Sequence, residues 1–168
     1  MRSRMFVPAL AIAACAILTT WGPLGRRVSA VGGPYSNDNF RGSYAMQFSG
    51  DVFAPAPFDK YNGKFYRNAR VVADGFGTLD VTSVANYAGT VAHEHFTASY
   101  AVNSDGSFTV TAVNLPVLFA PGVPNTFVFE GVLANGGASA KVVLSGVNLG
   151  GQQLPNIGSV LTGEFIRQ

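Results

Sequence analysis

The only two histidines of the chain flank a glutamate, in the sequence His93-Glu94-His95. Successive side chains of a β-strand point to opposite faces, so the two imidazoles share one face and the carboxylate takes the other. Two imidazoles at this spacing can hold a metal ion when further ligands complete the site. No acid or further histidine follows within residues 96–101. We therefore expect solvent-facing histidines and no metal or other cofactor, with metal binding and acid–base catalysis as the alternatives.

Glu94 shares its strand phase with Phe96, Ala98 and Tyr100. This row predicts that the Glu94 side chain points inward or lies near a barrel end, and a buried carboxylate needs a partner or a raised pKa. Arg67 lies in phase with apolar residues of an earlier predicted strand and is the expected partner, with a tyrosine hydroxyl as the other candidate. Such a pair inside a pocket would orient a polar group of a mostly apolar ligand. The alternative is a Glu94 side chain in water at the strand end.

The other candidate ligand contacts are aromatic. Tyrosine hydroxyls need a hydrogen-bond partner when buried, whereas phenylalanines can fill a core without any ligand. Catalytic signatures such as G-x-S-x-G, the P-loop, H-E-x-x-H and C-x-x-C are absent from the sequence, so no catalytic residue is nominated and we lean against an enzyme. The predicted ligand-binding residues are Tyr44, Phe48, Arg67, Glu94, Tyr100 and Phe129.

The elements that would position these residues are β-strands. Period-two alternation of apolar residues recurs after residue 35, interrupted by glycine-containing turn sequences, while helical periodicity is nearly absent. About eight short strands predict a closed antiparallel up-and-down barrel, because closure removes the sheet edges. A two-sheet β-sandwich is the alternative. The predicted strands are 42–50, 64–73, 78–87, 90–102, 107–113, 126–133, 138–145 and 159–167.

Three predicted connections are longer and richer in proline or glycine: 51–63, 115–125 and 146–158. In a barrel, some of these loops would lie around the mouth. An eight-stranded barrel is just wide enough to be filled by its own side chains or to hold one small ligand. Whether the interior is hollow or filled therefore separates a ligand-binding barrel from a solid one.

Residues 1–30 are predicted to be a signal peptide. Arg2 and Arg4 precede an uncharged, mostly apolar run, and Val28-Ser29-Ala30 provides the residues that signal peptidase prefers. We expect cleavage after Ala30 and a secreted or periplasmic protein with no stable membrane span. A retained membrane anchor and a lipoprotein are the alternatives.

Cleavage would leave residues 31–38 as a flexible N-terminal segment and 39–168 as the barrel domain. The basic residues would fall from eleven to seven against nine acids, a net charge of −2. This balance argues against nucleic-acid binding, which relies on positive charge. The only cysteine, Cys15, lies in the leader, so the mature protein would contain no disulfide.

Four segments, 39–44, 73–77, 100–106 and 163–168, consist chiefly of turns and strand starts. Together they resemble secreted bacterial β-barrel proteins of unknown function, with a loosely lipocalin-like or allene-oxide-cyclase-like outline. The Gly42-x-Tyr44 strand start is similar to the lipocalin Gly-x-Trp start, with tyrosine in place of tryptophan. The resemblance implies a barrel and, for the cyclase outline, a cyclisation or isomerisation. It carries no catalytic residue over to this chain.

The sequence thus favours an exported, non-catalytic barrel that binds a small hydrophobic ligand in its interior. One alternative is a solid structural or interaction barrel of the cell envelope. The other is a cyclase or isomerase of allene-oxide-cyclase-like outline.

Overall fold

A computed structural model describes residues 34–118, 120–153 and 160–168. The predicted signal peptide, residues 1–30, lies outside the described residues. Within the described ranges the regular structure consists of nine strands and three single-turn 3-10 helices, at Asn37–Asn39, Asp59–Tyr61 and Asn135–Gly137. The strands are β1 (Arg41–Val52), β2 (Gly63–Asp74), β3 (Thr78–Tyr87), β4 (Thr90–Val102), β5 (Ser107–Val113), β6 (Asn125–Ala134), β7 (Ser139–Leu149), β8 (Gln152–Gln153) and β9 (Val160–Arg167).

Eight of these strands close into an antiparallel up-and-down barrel, which confirms the predicted fold and excludes the sandwich. Strands β1 to β7 each pair with the next strand along the chain, and β9 lies between β7 and β1. The short strand β8 extends β7 as a hairpin outside this ring. No described helix has the length and apolar composition needed to span a membrane.

The alternation of apolar and polar residues produces the barrel wall, because each of the eight barrel strands buries one face and exposes the other to solvent. In β3, for example, Leu79, Val81 and Ala85 are buried while Asp80 and Thr82 are exposed. The buried row of each strand meets the others in one continuous core.

Two inward-facing glycines make room for phenylalanine rings on the neighbouring strand. Gly163 of β9 pairs with Phe48 of β1, and Gly131 of β6 pairs with Phe108 of β5. A Cβ atom added at Gly163 would overlap the Phe48 ring, and one at Gly131 would overlap the Phe108 ring. Each ring therefore occupies the space that a side chain on the next strand would otherwise fill.

One end of the barrel is closed by Phe40, which is fully buried. Its ring makes edge-to-face contacts with Tyr44, Tyr100 and Phe165, at centroid distances of 4.8, 5.3 and 5.5 Å. The segment before it is bonded to the barrel, since Asn37 Oδ1 accepts a hydrogen bond of 2.8 Å from the Val102 N–H.

The opposite end carries the loops that follow β1, β5 and β7, as the predicted long connections suggested. Two asparagine amides fasten the first two loops. Asn62 Oδ1 accepts from the Ala54 N–H and Asn62 Nδ2 donates to the Ala54 carbonyl, at 2.6 and 3.0 Å. Asn125 binds Leu115 in the same way, at 2.7 and 3.0 Å. Ala54 and Leu115 are buried, so the loops cover this end with apolar side chains.

Candidate functional site

The barrel interior contains a cluster of four polar side chains: Arg67 on β2, Ser83 and Tyr87 on β3, and Glu94 on β4. The strand register brings them together, because Ser83 pairs directly with Glu94 and Arg67 pairs with Ala85, which lies between the two β3 residues. Arg67 Nη2 lies 2.7 Å from Glu94 Oε2, and the two side chains are only 5% and 0% exposed. The inward orientation of Glu94 and its contact with Arg67 are confirmed.

Glu94 is held by three donors. Besides Arg67, the Tyr87 hydroxyl donates to Glu94 Oε1 at 2.6 Å and the Ser83 hydroxyl donates to Glu94 Oε2 at 3.1 Å. Burial raises the pKa of Tyr87, so its hydroxyl keeps its proton and remains a donor. Arg67 Nη2 also donates to the Tyr87 oxygen, at 3.2 Å. The carboxylate is therefore compensated by one cation and two hydroxyls.

The Arg67 guanidinium is less completely satisfied than its partner. Its Nε is buried and has no hydrogen-bond acceptor among the described residues. The guanidinium carbon lies 5.2 Å from the centre of the Phe65 ring and 5.5 Å from that of Phe96. These aromatic faces attract the cation without supplying a conventional acceptor. Arg67 thus keeps an unused N–H donor in the interior.

Two small cavities lie on either side of this arginine, with volumes of about 30 and 40 Å³. A water molecule occupies about 30 Å³ in the liquid, whereas sites for small organic ligands measure about 300–1,000 Å³. Phe48, Arg67 and Phe129 line both cavities, so these three side chains separate them. Among the described residues, side chains fill the barrel interior around these two cavities.

Four of the six predicted site residues come together in the interior. Phe48, Arg67 and Phe129 border the cavities, Glu94 binds Arg67, and Phe48 and Phe129 pack edge-to-face with centroids 5.3 Å apart. These four residues therefore lie next to one another inside the barrel. Binding of a ligand by them stays a prediction.

The other two, Tyr44 and Tyr100, lie near Phe40 at the closed end and line neither cavity. The Tyr44 hydroxyl donates to the Gly137 carbonyl at 2.8 Å, and that of Tyr100 donates to the Phe40 carbonyl at 2.8 Å. Their hydroxyls therefore anchor backbone at the end of the barrel and do not face an interior pocket.

Arg167 of β9 completes this end. Its Nη2 donates to the Tyr44 hydroxyl at 2.9 Å and to the Asn39 carbonyl at 2.7 Å, and its guanidinium carbon lies 5.5 Å from the Tyr44 ring centre. The last strand is thereby tied to the segment that precedes the first strand.

Sequence reasoning did not assign Ser83 or Phe40, and it named the Tyr87 hydroxyl as a possible polar group of a pocket without placing it beside Glu94. Ser83 is in phase with buried Val81 and Ala85, so its inward direction was available from the alternation. The contact of Tyr87 with Glu94 depends on the register between β3 and β4, which alternation does not provide. Phe40 precedes the first strand, where the period-two pattern gives no information.

The two histidines lie on the outer face of β4, as the phase predicted. Both are exposed, and His95 Nε2 lies 3.1 Å from Asp80 Oδ2 on β3. Among the described residues, no group of three or more His, Cys, Asp and Glu side chains is arranged to hold a metal ion.

Comparison with known proteins adds no assignment. No protein-family model matches the chain, and no curated protein matches it.

Proposed function

We propose that this protein is an exported, non-catalytic barrel whose interior is structural and whose outer surface makes its functional contacts. The observation that supports this most directly is the volume of the interior cavities, about 30 and 40 Å³. These volumes are about a tenth of what a small organic ligand requires. Of the functions that the sequence suggested, the solid barrel fits this interior best.

The closure of both ends supports the same proposal. Phe40 fills one end, and buried Ala54, Leu115 and Val117 cover the other. A ligand would therefore have to displace a loop and then separate the Phe48 and Phe129 rings, which pack against each other. Dense interiors of this kind resist such rearrangement, because each displaced ring loses its packing contacts.

One observation favours a second candidate function, the binding of a small apolar ligand in the interior. The buried Arg67 Nε has no acceptor among the described residues. An unsatisfied buried donor is unusual in native proteins and calls for an explanation, which a carbonyl or carboxylate oxygen would supply. A cyclase or isomerase would need the same cavity, since Arg67, Glu94 and Tyr87 are the polar groups that it could use.

Titration with a fluorescent fatty-acid analogue tests the choice between a filled and a ligand-binding barrel. We expect no saturable binding of this probe to the wild-type protein. Xenon binding to Phe129→Ala is the positive control for an interior site, because removal of this ring joins the two cavities into a space of the kind that holds xenon or benzene. Saturable one-to-one binding to the wild type that is lost in Arg67→Met would instead establish the second candidate.

Export has its own test. Secretion by a native host should yield a protein whose first residue is Val31, because the leader sequence places cleavage after Ala30. An intact N-terminus in the membrane fraction would contradict export as a soluble protein.

A further inference from the structure

One long edge of strand β4 has no neighbouring strand. On the β3 side, Thr90 to Ser99 pair continuously with Tyr87 to Thr78. On the β5 side, the ladder covers only four residues, Ser99 to Val102. Within the described part of the chain, residues 90–98 therefore pair with β3 alone.

The ladder with β4 ends at Thr111, before the end of β5, and the chain then turns towards β6. Asn114 has a left-handed φ of 54°, which turns the backbone at the end of Ser107–Val113. Its N–H then donates to the Asn125 carbonyl at 2.7 Å, on the β6 side. The segment after β5 therefore turns away from β4. The remaining nine residues of β4, 90–98, have no strand beside them on this side.

Two hydrogen bonds show which backbone groups point towards the open edge. The Tyr100 N–H donates to the Gly77 carbonyl on the β3 side, whereas the Asn103 N–H donates to the Ser107 carbonyl on the β5 side. Backbone groups alternate in direction along an antiparallel strand. The N–H and C=O groups of the odd-numbered residues at positions 91, 93, 95 and 97 therefore point towards the open edge.

This edge lacks three of the devices by which proteins prevent strands from adding to a sheet, namely lysine, proline and a β-bulge. The charged residue in the strand, Glu94, points into the barrel and is paired with Arg67. Residues 91–97 contain neither lysine nor proline, and the register with β3 is continuous through them. Val91 is 57% exposed, and His93, His95 and Thr97 are exposed as well. The edge is therefore open to another strand.

We propose that this edge pairs antiparallel with the same edge of a second copy of the protein, around a two-fold axis at Glu94. Such a pairing places Val91 opposite Thr97 of the second copy and His93 opposite His95 of the second copy. The N–H and C=O groups at positions 91, 93, 95 and 97 of each copy point towards the other copy. Every one of these backbone groups therefore finds a hydrogen-bond partner across the two-fold axis. Contact through the same patch on both molecules is the usual arrangement of a symmetric dimer.

The absence of charged side chains along this edge allows it to pair with the same edge of a second copy. A two-fold interface brings equivalent residues close together, and like charges directly opposite each other destabilise paired strands. The outward side chains at 91, 93, 95 and 97 include no lysine, arginine, aspartate or glutamate. Asp80 contacts His95 from the β3 side. The inference rests on the proposed function, in which the outer surface is the working part of the molecule.

Sedimentation equilibrium of the wild type and two variants tests the dimer. His93→Pro removes an N–H that faces the open edge and is not used in the ladder with β3, so the barrel can keep its own hydrogen bonds. His93→Ala, the matched control, removes the imidazole and keeps the N–H. We expect a wild-type dimer, a similar dimer for His93→Ala, and a dissociation constant raised at least about tenfold for His93→Pro.

Amide hydrogen exchange keeps the test decisive if the proline variant folds poorly. In the wild type, exchange at Val91, His93, His95 and Thr97 should slow as protein concentration rises, while exchange at Tyr100 should not change. A wild-type protein that stays monomeric up to about 0.5 mM, a range typical of weak self-association, would overturn the proposal. So would a dimer that leaves these four amides unprotected. Either result leaves the ligand titration unaffected, so failure of the dimer is distinguishable from failure of the proposed function.

Discussion

Arg67 and Glu94 form an ion pair in the middle of the barrel, with Nη2 and Oε2 2.7 Å apart and side chains 5% and 0% exposed. Few charged pairs are so completely removed from water. Their joint presence is tolerated because each neutralises the other, and Tyr87 and Ser83 supply the remaining donors to the carboxylate. The Glu94 carboxylate is thus fully compensated, whereas the buried Arg67 Nε has no acceptor among the described residues.

Single substitutions in this pair should be costly. Arg67→Met and Glu94→Gln each leave a buried group without its partner, which typically costs about 3–5 kcal/mol. The double variant should lose less than the sum of the two single losses, because it leaves no charge unpaired. Denaturant unfolding of the three variants measures this. Lys64→Met, which breaks the exposed pair with Asp51, is the control and should change stability little. Small, additive losses at Arg67 and Glu94 would contradict the buried pair.

The glycine at position 163 should be intolerant of a side chain. Gly163→Ala would drive a methyl group into the Phe48 ring and to 3.0 Å from the Gln47 carbonyl oxygen. Overpacking of this kind costs about 1–3 kcal/mol. Gly146→Ala is the matched control on β7, where the nearest atom to the new methyl would be Val128 Cβ at 3.5 Å. Equal denaturant midpoints for the two variants would show that the Phe48 ring can move aside.

The two loop asparagines should differ in importance. Asn125→Ala removes a buried amide and leaves the Leu115 N–H without a partner, which should cost about 1–3 kcal/mol, whereas the Leu115 carbonyl keeps its hydrogen bond from the Val117 N–H. Asn62→Ala removes an exposed amide, and water can replace its bonds to Ala54. We therefore expect a smaller loss for Asn62→Ala, measured by the same unfolding experiment. A larger loss at Asn62 would mean that burial does not determine the strength of these two contacts.

Acidification should weaken the turn between β2 and β3. Hydrogen bonds from the backbone of Thr78 and Phe76 lower the pKa of Asp74 below its ordinary value of 3.8. Because the folded-state pKa is the lower one, the stabilisation is present above the ordinary pKa and is lost as the pH falls through the folded value. The Tm of Asp74→Asn should therefore lie below that of the wild type at pH 7, and the gap should narrow below about pH 4.

Asp59→Asn is the control for this titration. No side-chain hydrogen bond or ion pair of Asp59 is present among the described residues, so the Tm of this variant at pH 7 should equal that of the wild type. A gap between Asp74→Asn and wild type that stays constant down to pH 2 would contradict the role of the ionised carboxylate.

Most of the fold could be predicted from the sequence because each barrel strand buries one face. The alternation predicted all eight barrel strands, with β3, β4 and β5 at their observed bounds. It could not show the closure of the end by Phe40, which lies before the first strand. Nor could it show that the interior is filled, because that depends on how side chains from opposite walls meet.

The candidate site was predictable in part for the same reason. Phase alone placed Arg67 and Glu94 inward on separate strands, and the structure brings them within 2.7 Å. Phase also grouped Tyr44 and Tyr100 with them, although position along each strand places those two at the barrel end. The open edge of β4 had a signal in the sequence: the predicted strand 90–102 is six residues longer than its partner 107–113.

Strand β9 lies between β1 and β7 and is the last described strand along the chain, so its docking closes the barrel. Until Val160–Arg167 docks, both neighbouring strands are open edges and Arg167 cannot reach Asn39 or Tyr44. Pairing of Phe48 with Gly163 joins positions 115 residues apart. Contacts this distant in sequence slow folding, because the chain loses much freedom before they form. Completion of the barrel therefore has to wait for synthesis of residues 160–167, and a chain that lacks them should be prone to aggregate through β1 and β7.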